Sequence, residues 1–453
     1  MNIPNYFLSD LPKEASLTPS MLSDACYALK RNRAQYLSPR STDELIRTLD
    51  SIGRQWLLPE YPWRKLALER GPEQLHFTRQ TLERGLDSFF RELTGEKMES
   101  FISAELGHRH RLDDLVMTGN EHRERRSGMA RGPELLLHIT AGNVPNPTLM
   151  SMVLGILTRS AQFVKCASGS ALLPGLFAHS IYETDPKLGA CIELAEWPGG
   201  KTDLEDVMIA EADIVTVTGA DETIDTLRKR LPSDRRCLAY GNRMSFGYIT
   251  KEAISGFGTS QVVEDAATDV IAWNQLGCLS PHLFYVESGG RTTPDDFASL
   301  LATELDRREQ IEPRGPVPMN VATNIASRRS FYEVRAAHSP ETRLRASPNS
   351  TAWTVVFEND PTFILSCLHR FVHVKAVENV QQALRAAEIV RGKVSSVGIA
   401  AAEDKAHQLA VTLARWGATR ICPLGKMQTP PFAWRHDGRP ALADLITWTD
   451  WEQ

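Results

Sequence analysis

The chain has 453 residues, a net charge of −5 and ordinary shares of apolar (42%) and charged (24%) side chains. That length exceeds one ordinary core, so two or three domains are expected. The slightly acidic balance offers no broad basic field and argues against nucleic acid as a partner. Seven cysteines, at 26, 166, 191, 237, 278, 367 and 422, form no Cys-x-x-Cys pair and are odd in number. That pattern suits reduced thiols in the cytoplasm better than a disulfide framework. The opening residues carry acidic groups and no apolar stretch, so no secretory signal is expected. No apolar run approaches the ~18 residues of a membrane span.

Residues 1–130 read as a helical region. TDELIRTLDSIGRQWL and LERGLDSFFREL repeat apolar residues at three- and four-residue spacing. The stretch 108–131, HRHRLDDLVMTGNEHRERRSGMAR, reads as a solvated surface loop or boundary. From 132 the pattern changes to short apolar strands (ELLLHIT, AQFVKCA, ACIELAEW, DIVTVTG) alternating with helices. This predicts a doubly wound parallel sheet over 131–248, with ligands bound at the carboxyl ends of its strands. Small and polar residues stand at those ends: Thr140 to Asn143, Ala167 to Ser170, and Thr218 to Ala220. A second α/β domain is expected over 249–425, with strands in CLSPHLFYVES, FVHVKAV, SSVGIAA and TRICPLG. The tail, 426–453, starts irregular but holds three of the nine tryptophans, so it is expected to dock back on the body.

Few residues suggest chemistry on their own. Cys278 lies in WNQLGCLSPHLFYVE, between a glycine that permits close backbone approach and a proline that fixes a turn. There it is either a nucleophile or a buried structural thiol. Asn143 ends the first strand of the first sheet, either as a turn residue or as an amide donor to an oxyanion. Lys165 ends the second strand and is suited to a ribose or phosphate, or is an ordinary strand-end lysine. Thr218 and Gly219 precede a helix whose exposed amides suit a phosphate or a nicotinamide ring. Gly256-Phe257-Gly258 lacks the third glycine of a dinucleotide fingerprint, and His108 and His110, two apart, would not share a helix face. No metal site is expected.

Taken together these segments resemble the aldehyde dehydrogenase superfamily, and within it the LuxC family of fatty acyl-CoA reductases. Asn143-Val144-Pro145 resembles that family's Asn-aromatic-Pro element, and Lys165 follows 22 positions later. Thr218-Gly219 resembles the cofactor-contacting turn, Gln275-Leu276-Gly277-Cys278 the nucleophile segment, and PLGKMQTPPFAWRHDGRP the closing segment of the LuxC branch. The resemblance covers about residue 130 to the end. It implies an aldehyde dehydrogenase-like α/β fold: two doubly wound parallel-sheet domains behind a helical N-terminal region, one binding NAD(P) and the other carrying the nucleophile. It also implies a mechanism. Cys278 attacks an acyl thioester, the oxyanion is held by the Asn143 amide and the Cys278 backbone N–H, and hydride converts the thioacyl-enzyme to aldehyde.

Two departures sharpen the expectation. Aldehyde-oxidising members carry a glutamate base in a Glu-Leu-Gly-Gly element, whereas CLAYGNRMSFGYI places Ala239 there. Without that base, hydrolysis of the thioacyl-enzyme is slow and hydride attack is favoured. Three positions after Lys165, where NAD-preferring relatives often hold an acid, stands Ser168, so NADPH is expected ahead of NADH. Glu358, in VVFEND, is a candidate ribose-binding residue, or a solvated loop carboxylate. The expected activity is NADPH-dependent reduction of an acyl-CoA or acyl-protein to an aldehyde. The alternatives are a CoA-acylating aldehyde dehydrogenase working oxidatively, and a non-catalytic subunit. An acyl-protein synthetase partner and a homo-oligomer built through a β-hairpin extension are implied by the resemblance alone.

Overall fold

The computed structural model describes residues 3–12 and 14–453. By backbone proximity the chain divides into two compact units. The first combines the chain up to Leu75 with Leu86–Gly241 and Pro431–Gln453; the second combines His76–Gly85 with Asn242–Pro430.

Helices dominate the opening of the first unit. Thr42–Trp56 shows why they form: Ser41 caps it by accepting the Glu44 amide (3.2 Å), and Asp43 and Glu44 sit in its first turn. Its buried Leu45, Ile46, Leu49, Ile52 and Trp56 repeat at three and four residues. Pro19–Asn32 buries Leu22, Cys26 and Leu29 in the core of the following sheet.

The strands, in chain order, begin with β1 (Arg126–Arg131), β2 (Leu135–Ile139), β3 (Ala161–Cys166), β4 (Ile192–Glu196), β5 (Ile214–Thr218) and β6 (Arg236–Tyr240). β2 to β6 make one parallel sheet in the order β4-β3-β2-β5-β6. The chain runs outward from β2 in one direction through β3 and β4, then in the other through β5 and β6. The switch point lies between β2 and β5, where open α/β sheets receive ligands at the carboxyl ends. Inside, His138 is buried with its ring nitrogens at 2.7 Å from Thr216 Oγ1 and 3.1 Å from Gln162 Oε1, and burial lowers its pKa to about 4.

The remaining strands are β7 (Met244–Ile249), β8 (Pro281–Glu287), β9 (Thr342–Ala346), β10 (Thr354–Glu358), β11 (Phe371–Val377), β12 (Val394–Ala400), β13 (Ile421–Pro423) and β14 (Thr447–Glu452). β7 to β13 form the sheet of the second unit, in the order β13-β12-β7-β8-β11-β10-β9. Six of its strands are parallel, and β9 closes one edge antiparallel to β10. Helix Pro294–Ile311 covers one face, with Phe297, Ala298, Leu301 and Leu305 in its core.

β14 pairs antiparallel with β1, within the first unit. The tail leading to it is tied by carboxylates: Glu92 accepts the Phe432 amide (3.0 Å), and Glu105 accepts those of Ala441, Leu442 and Ala443 (2.7–2.9 Å).

The structure corrects the solvated reading of 108–131. Arg111 is 4% exposed, bonds Thr118 Oγ1 at 3.0 Å, pairs with Glu121 and lies 5.3 Å from the Trp448 ring centroid. β1, inside the same stretch, is half-hidden because its partner strand comes from the far end of the chain.

Candidate active site

Cys278 sits in the turn before β8, at the amino end of that strand, and is half-buried. The loop leading to it is fixed in an unusual way. Trp273, Asn274 and Gln275 follow helix Thr259–Ile271 with φ of 51°, 50° and 67°. A non-glycine residue in the left-handed region costs on the order of 1 kcal/mol or more, so three in succession need side chains that hold them. Gln275 Nε2 donates to the carbonyls of Pro281 (2.7 Å) and Phe371 (3.0 Å). Asn274 Nδ2 donates to Arg314 O (3.0 Å), and its Oδ1 accepts from Arg370 Nε (3.1 Å). The Trp273 ring packs edge-on to Phe77 at 5.1 Å. All three residues are buried. The pattern Trp-Asn-Gln therefore encodes a rigid corner, and the thiol follows it.

Ser280 N donates to Gly277 O (2.9 Å) and closes the turn, and Ser245 Oγ donates to the Cys278 carbonyl (2.8 Å). A Cβ at Gly277 would stand 2.9 Å from Gln428 Oε1, at the far end of that flexible side chain. The other six cysteines are poorer nucleophile candidates. Burial pushes Cys26, Cys166 and Cys191 to about 12 and raises Cys237, Cys367 and Cys422. Burial also lowers His282, on β8, to about 4, so it is neutral at pH 7.

Asp269, on the helix before this loop, is a carboxylate that sequence reasoning missed. Its Oδ2 accepts Gly425 N (2.6 Å) and its Oδ1 accepts Met427 N (2.9 Å), and burial raises it to about 7. With both oxygens occupied by amides, it anchors the segment after β13. Ala239 lies in β6 of the first unit.

The other candidates of the sheet ends lie in the first unit. Asn143 is exposed in the bend after β2. Lys165 is 6% exposed on β3; its Nζ lies 5.7 Å from the Trp197 ring centroid, and burial lowers its pKa against the pull of Glu205, Cys166 and Glu196. Ser168 is exposed in the next turn, where Gly169 has φ of +80°. Thr218 ends β5, and Gly219 N donates to Tyr240 O (3.2 Å). So β2, β3 and β5, adjacent in the sheet, bring Asn143, Lys165, Ser168, Thr218 and Gly219 to one edge. A Cβ built at Gly169 or Gly219 meets nothing within 4 Å, and Trp197 Nε1 is buried with no hydrogen-bond partner. An open ledge with a lysine and an unsatisfied donor fits a nicotinamide dinucleotide. Glu196 is also on this ledge and was missed by sequence reasoning. It accepts the amides of Gly169 (2.8 Å) and Ala171 (3.2 Å) and so places an acid beside Ser168.

Glu358 departs from its solvated-loop reading. It ends β10, is 1% exposed, bonds Lys375 Nζ at 2.6 Å and pairs with Arg335 at 3.2 Å. The polar sequence Asn359-Asp360 after it masks the strand. Glu358 belongs to the second unit, and the other cofactor candidates belong to the first.

Similarity to known proteins agrees with this architecture. The chain is 22% identical over 415 residues to a long-chain acyl-protein thioester reductase of Photorhabdus laumondii, covering 90% of this chain and 82% of that protein. It is also 22% identical to that of Aliivibrio fischeri, covering 91% and 82%. Among solved structures, a putative aldehyde dehydrogenase PutA of Anabaena variabilis superposes with a TM-score of 0.70 at 15% identity, covering 96% of this chain and 93% of that one. A bifunctional proline utilization A protein gives 0.72 at 15% identity over 96% of this chain, which spans only 45% of that protein's length. The fold is thus aldehyde dehydrogenase-like. The family model described as acyl-CoA reductase (LuxC) matches residues 37–448, so the likeness reaches well into the helical region, beyond the boundary near residue 130 that the motifs alone suggest. With that match over most of its length, the chain belongs to the acyl-CoA reductase (LuxC) family and is an oxidoreductase of acyl and aldehyde groups.

Proposed function

We propose that the chain reduces an acyl thioester, presented as acyl-CoA or on an acyl-protein, to an aldehyde, with Cys278 as nucleophile and NADPH as hydride donor. The observation that carries this reading is the Cys278 loop: a half-buried thiol behind three left-handed residues, each locked by buried partners. Such rigidity is of use where an atom must be held for attack.

In the proposed sequence, the Cys278 thiolate adds to the thioester carbonyl carbon. Asn143 and the Cys278 N–H are the proposed donors to the oxyanion. Collapse expels the CoA or carrier thiolate and leaves a thioacyl-enzyme. A bound nicotinamide supplies hydride. Once the carbonyl carbon has accepted it, the carbon–sulfur bond breaks, aldehyde departs and Cys278 returns as thiolate. The residues Lys165, Ser168, Thr218 and Gly219 would hold the cofactor, which makes the first unit the cofactor-binding part and the second the nucleophile-bearing part. Ala239, in the place of an oxidising enzyme's glutamate, favours hydride over water at the thioacyl stage. The names of the relatives, long-chain acyl-protein thioester reductases, support a long acyl chain delivered on protein.

We further infer a homo-oligomer formed through the β1–β14 ribbon. All six residues of β14 are exposed, including Trp448 and Trp451, and an exposed strand edge with large apolar side chains is a pairing surface. An acyl-protein synthetase partner and a cytoplasmic location, suited to seven free cysteines, belong to the same reading. Among the described residues no helix is long and apolar enough to cross a membrane.

Product assays in both directions test the proposal. Acyl-CoA plus NADPH should yield aldehyde faster than aldehyde plus CoA plus NADP yields acyl-CoA. The reverse ranking would favour a CoA-acylating aldehyde dehydrogenase.

A further inference from the structure

The amino ends of four adjacent strands in the second unit carry one row of polar groups that ends at Cys278. The strand order β13-β12-β7-β8 sets the row. Ser396 of β12 is in register with Ser245 of β7, and Ser245 with Pro281 of β8. Val397 pairs with Ile421, which brings Arg420, the residue before β13, next to Ser396. Hydrogen bonds follow this geometry. Arg420 NH1 donates to Ser396 Oγ (3.2 Å), Ser396 N donates to Ser245 Oγ (3.1 Å), and Ser245 Oγ donates to the Cys278 carbonyl (2.8 Å).

Arg420 is 9% exposed, and the same guanidinium donates to the carbonyls of Met427 (2.7 Å) and Lys426 (2.8 Å). Those residues belong to the segment whose amides Asp269 holds, and Gln428 of that segment donates to Ser280 Oγ, two residues after the thiol. The Cys278 turn is thus braced from two sides, and both braces converge on Arg420. A buried guanidinium is a permanent charge with a fixed fork of donors.

We propose that Arg420 is a positioning residue for Cys278, fixing its turn through Ser396 and Ser245 and setting a buried positive charge within electrostatic reach of the thiol. The proposal rests on the reading of Cys278 as nucleophile. Burial lowers the Arg420 pKa, while Cys422, Asp269 and Cys278 raise it; that attraction is mutual, so the guanidinium favours the thiolate. The charged and titratable groups that interact electrostatically around Arg420 include Asp265 and Asp269 from the preceding helix and Cys422 on β13; Lys426 follows β13, His282 lies on β8, and Arg243 and Lys393 stand just before β7 and β12 in sequence. Arg420 is bonded into the row itself through Ser396.

The test is peptide-mapped alkylation of Cys278 by iodoacetamide in the full chain, between about pH 5 and 10. Arg420→Met should move the alkylation midpoint up by about one unit and slow labelling at neutral pH roughly tenfold. Arg420→Lys, which keeps the charge, should stay nearer the parent than Met does, a rescue that loss of packing alone would not give. If Arg420→Met does not fold, Arg420→Gln is read in its place. A neutral variant whose profile overlays the parent's, or a Lys variant shifted as far as the neutral one, overturns the proposal. The readout is separate from turnover: if Cys278→Ala still accepts an acyl group, the functional reading falls while the alkylation result stands as measured.

Discussion

A methyl group at Gly85 would stand 2.0 Å from Cζ2 of Trp273, overlapping the indole ring. This contact connects the short segment His76–Gly85 with the first of the three left-handed residues before Cys278. Trp273, with φ of 51°, has its ring packed against Gly85 and Phe77. Gly85→Ala should therefore cost about 1–3 kcal/mol by overpacking and lower Cys278 acylation roughly tenfold or more through misplacement of the loop. Thermal unfolding together with adduct formation would check this. An unchanged acylation rate would show that the corner tolerates a shifted indole.

The buried pair Glu358–Lys375, 2% exposed on each side, joins the neighbouring strands β10 and β11. Lys375→Met should destabilise by about 2–3 kcal/mol, because a buried carboxylate loses its 2.6 Å partner while keeping Arg335 at 3.2 Å. Lys375→Met with Glu358→Leu should recover most of that loss. Urea unfolding of the single and double variants measures both, and a single variant within about 1 kcal/mol of the parent would contradict the assignment.

Asp269 makes stability depend on pH with a definite sign. Burial raises its folded pKa from the ordinary 3.8 to about 7, while the two amides and Arg420 pull the other way. A raised pKa means that its contribution is complete below about 4 and is lost as pH rises through about 7. Glu193, also raised to about 7 by burial, has the same sign in the first unit. Asp269→Asn should cost about 1–3 kcal/mol at low pH, since one amide loses its acceptor, and the gap to the parent should narrow as pH rises. Unfolding midpoints of both proteins across this window isolate Asp269 from Glu193. A gap independent of pH would show that Asp269 does not titrate there.

In the proposed cofactor site Lys165 and Glu196 carry opposite charges, which would act oppositely on a 2′-phosphate, while Ser168 is neutral. The account predicts a higher kcat/KM with NADPH than with NADH. Ser168→Glu should reduce the NADPH value roughly tenfold or more through an added like charge, and Glu196→Gln should raise the NADPH-to-NADH ratio. A parent that prefers NADH would place Glu196, not Lys165, in control of the cofactor.

The parts of this fold that were legible in the sequence are those set by local pattern. β2, β3, β4 and β5 are short, mostly apolar and mostly buried runs bounded by turns, as strands of a parallel sheet tend to be. The turn carrying Cys278 was visible from Gly277 and Pro281. What escaped is long-range. β9, Thr-Arg-Leu-Arg-Ala, is an edge strand whose charges hide its pairing with β10. β1 and β14 find each other across most of the chain. Ser245, Ser396 and Arg420 are unremarkable residues until strand register sets them in one row. Glu196 reads as the end of a strand, and only the fold shows that it reaches the turn after Lys165's strand.

The most direct measurement is intact-mass spectrometry of the protein exposed to a panel of acyl thioesters without a nicotinamide. The account predicts a mass gain equal to one acyl group, mapped to Cys278, reversed to aldehyde on adding NADPH and absent in Cys278→Ala. Labelling of Cys278→Ala to the same extent as the parent would contradict it.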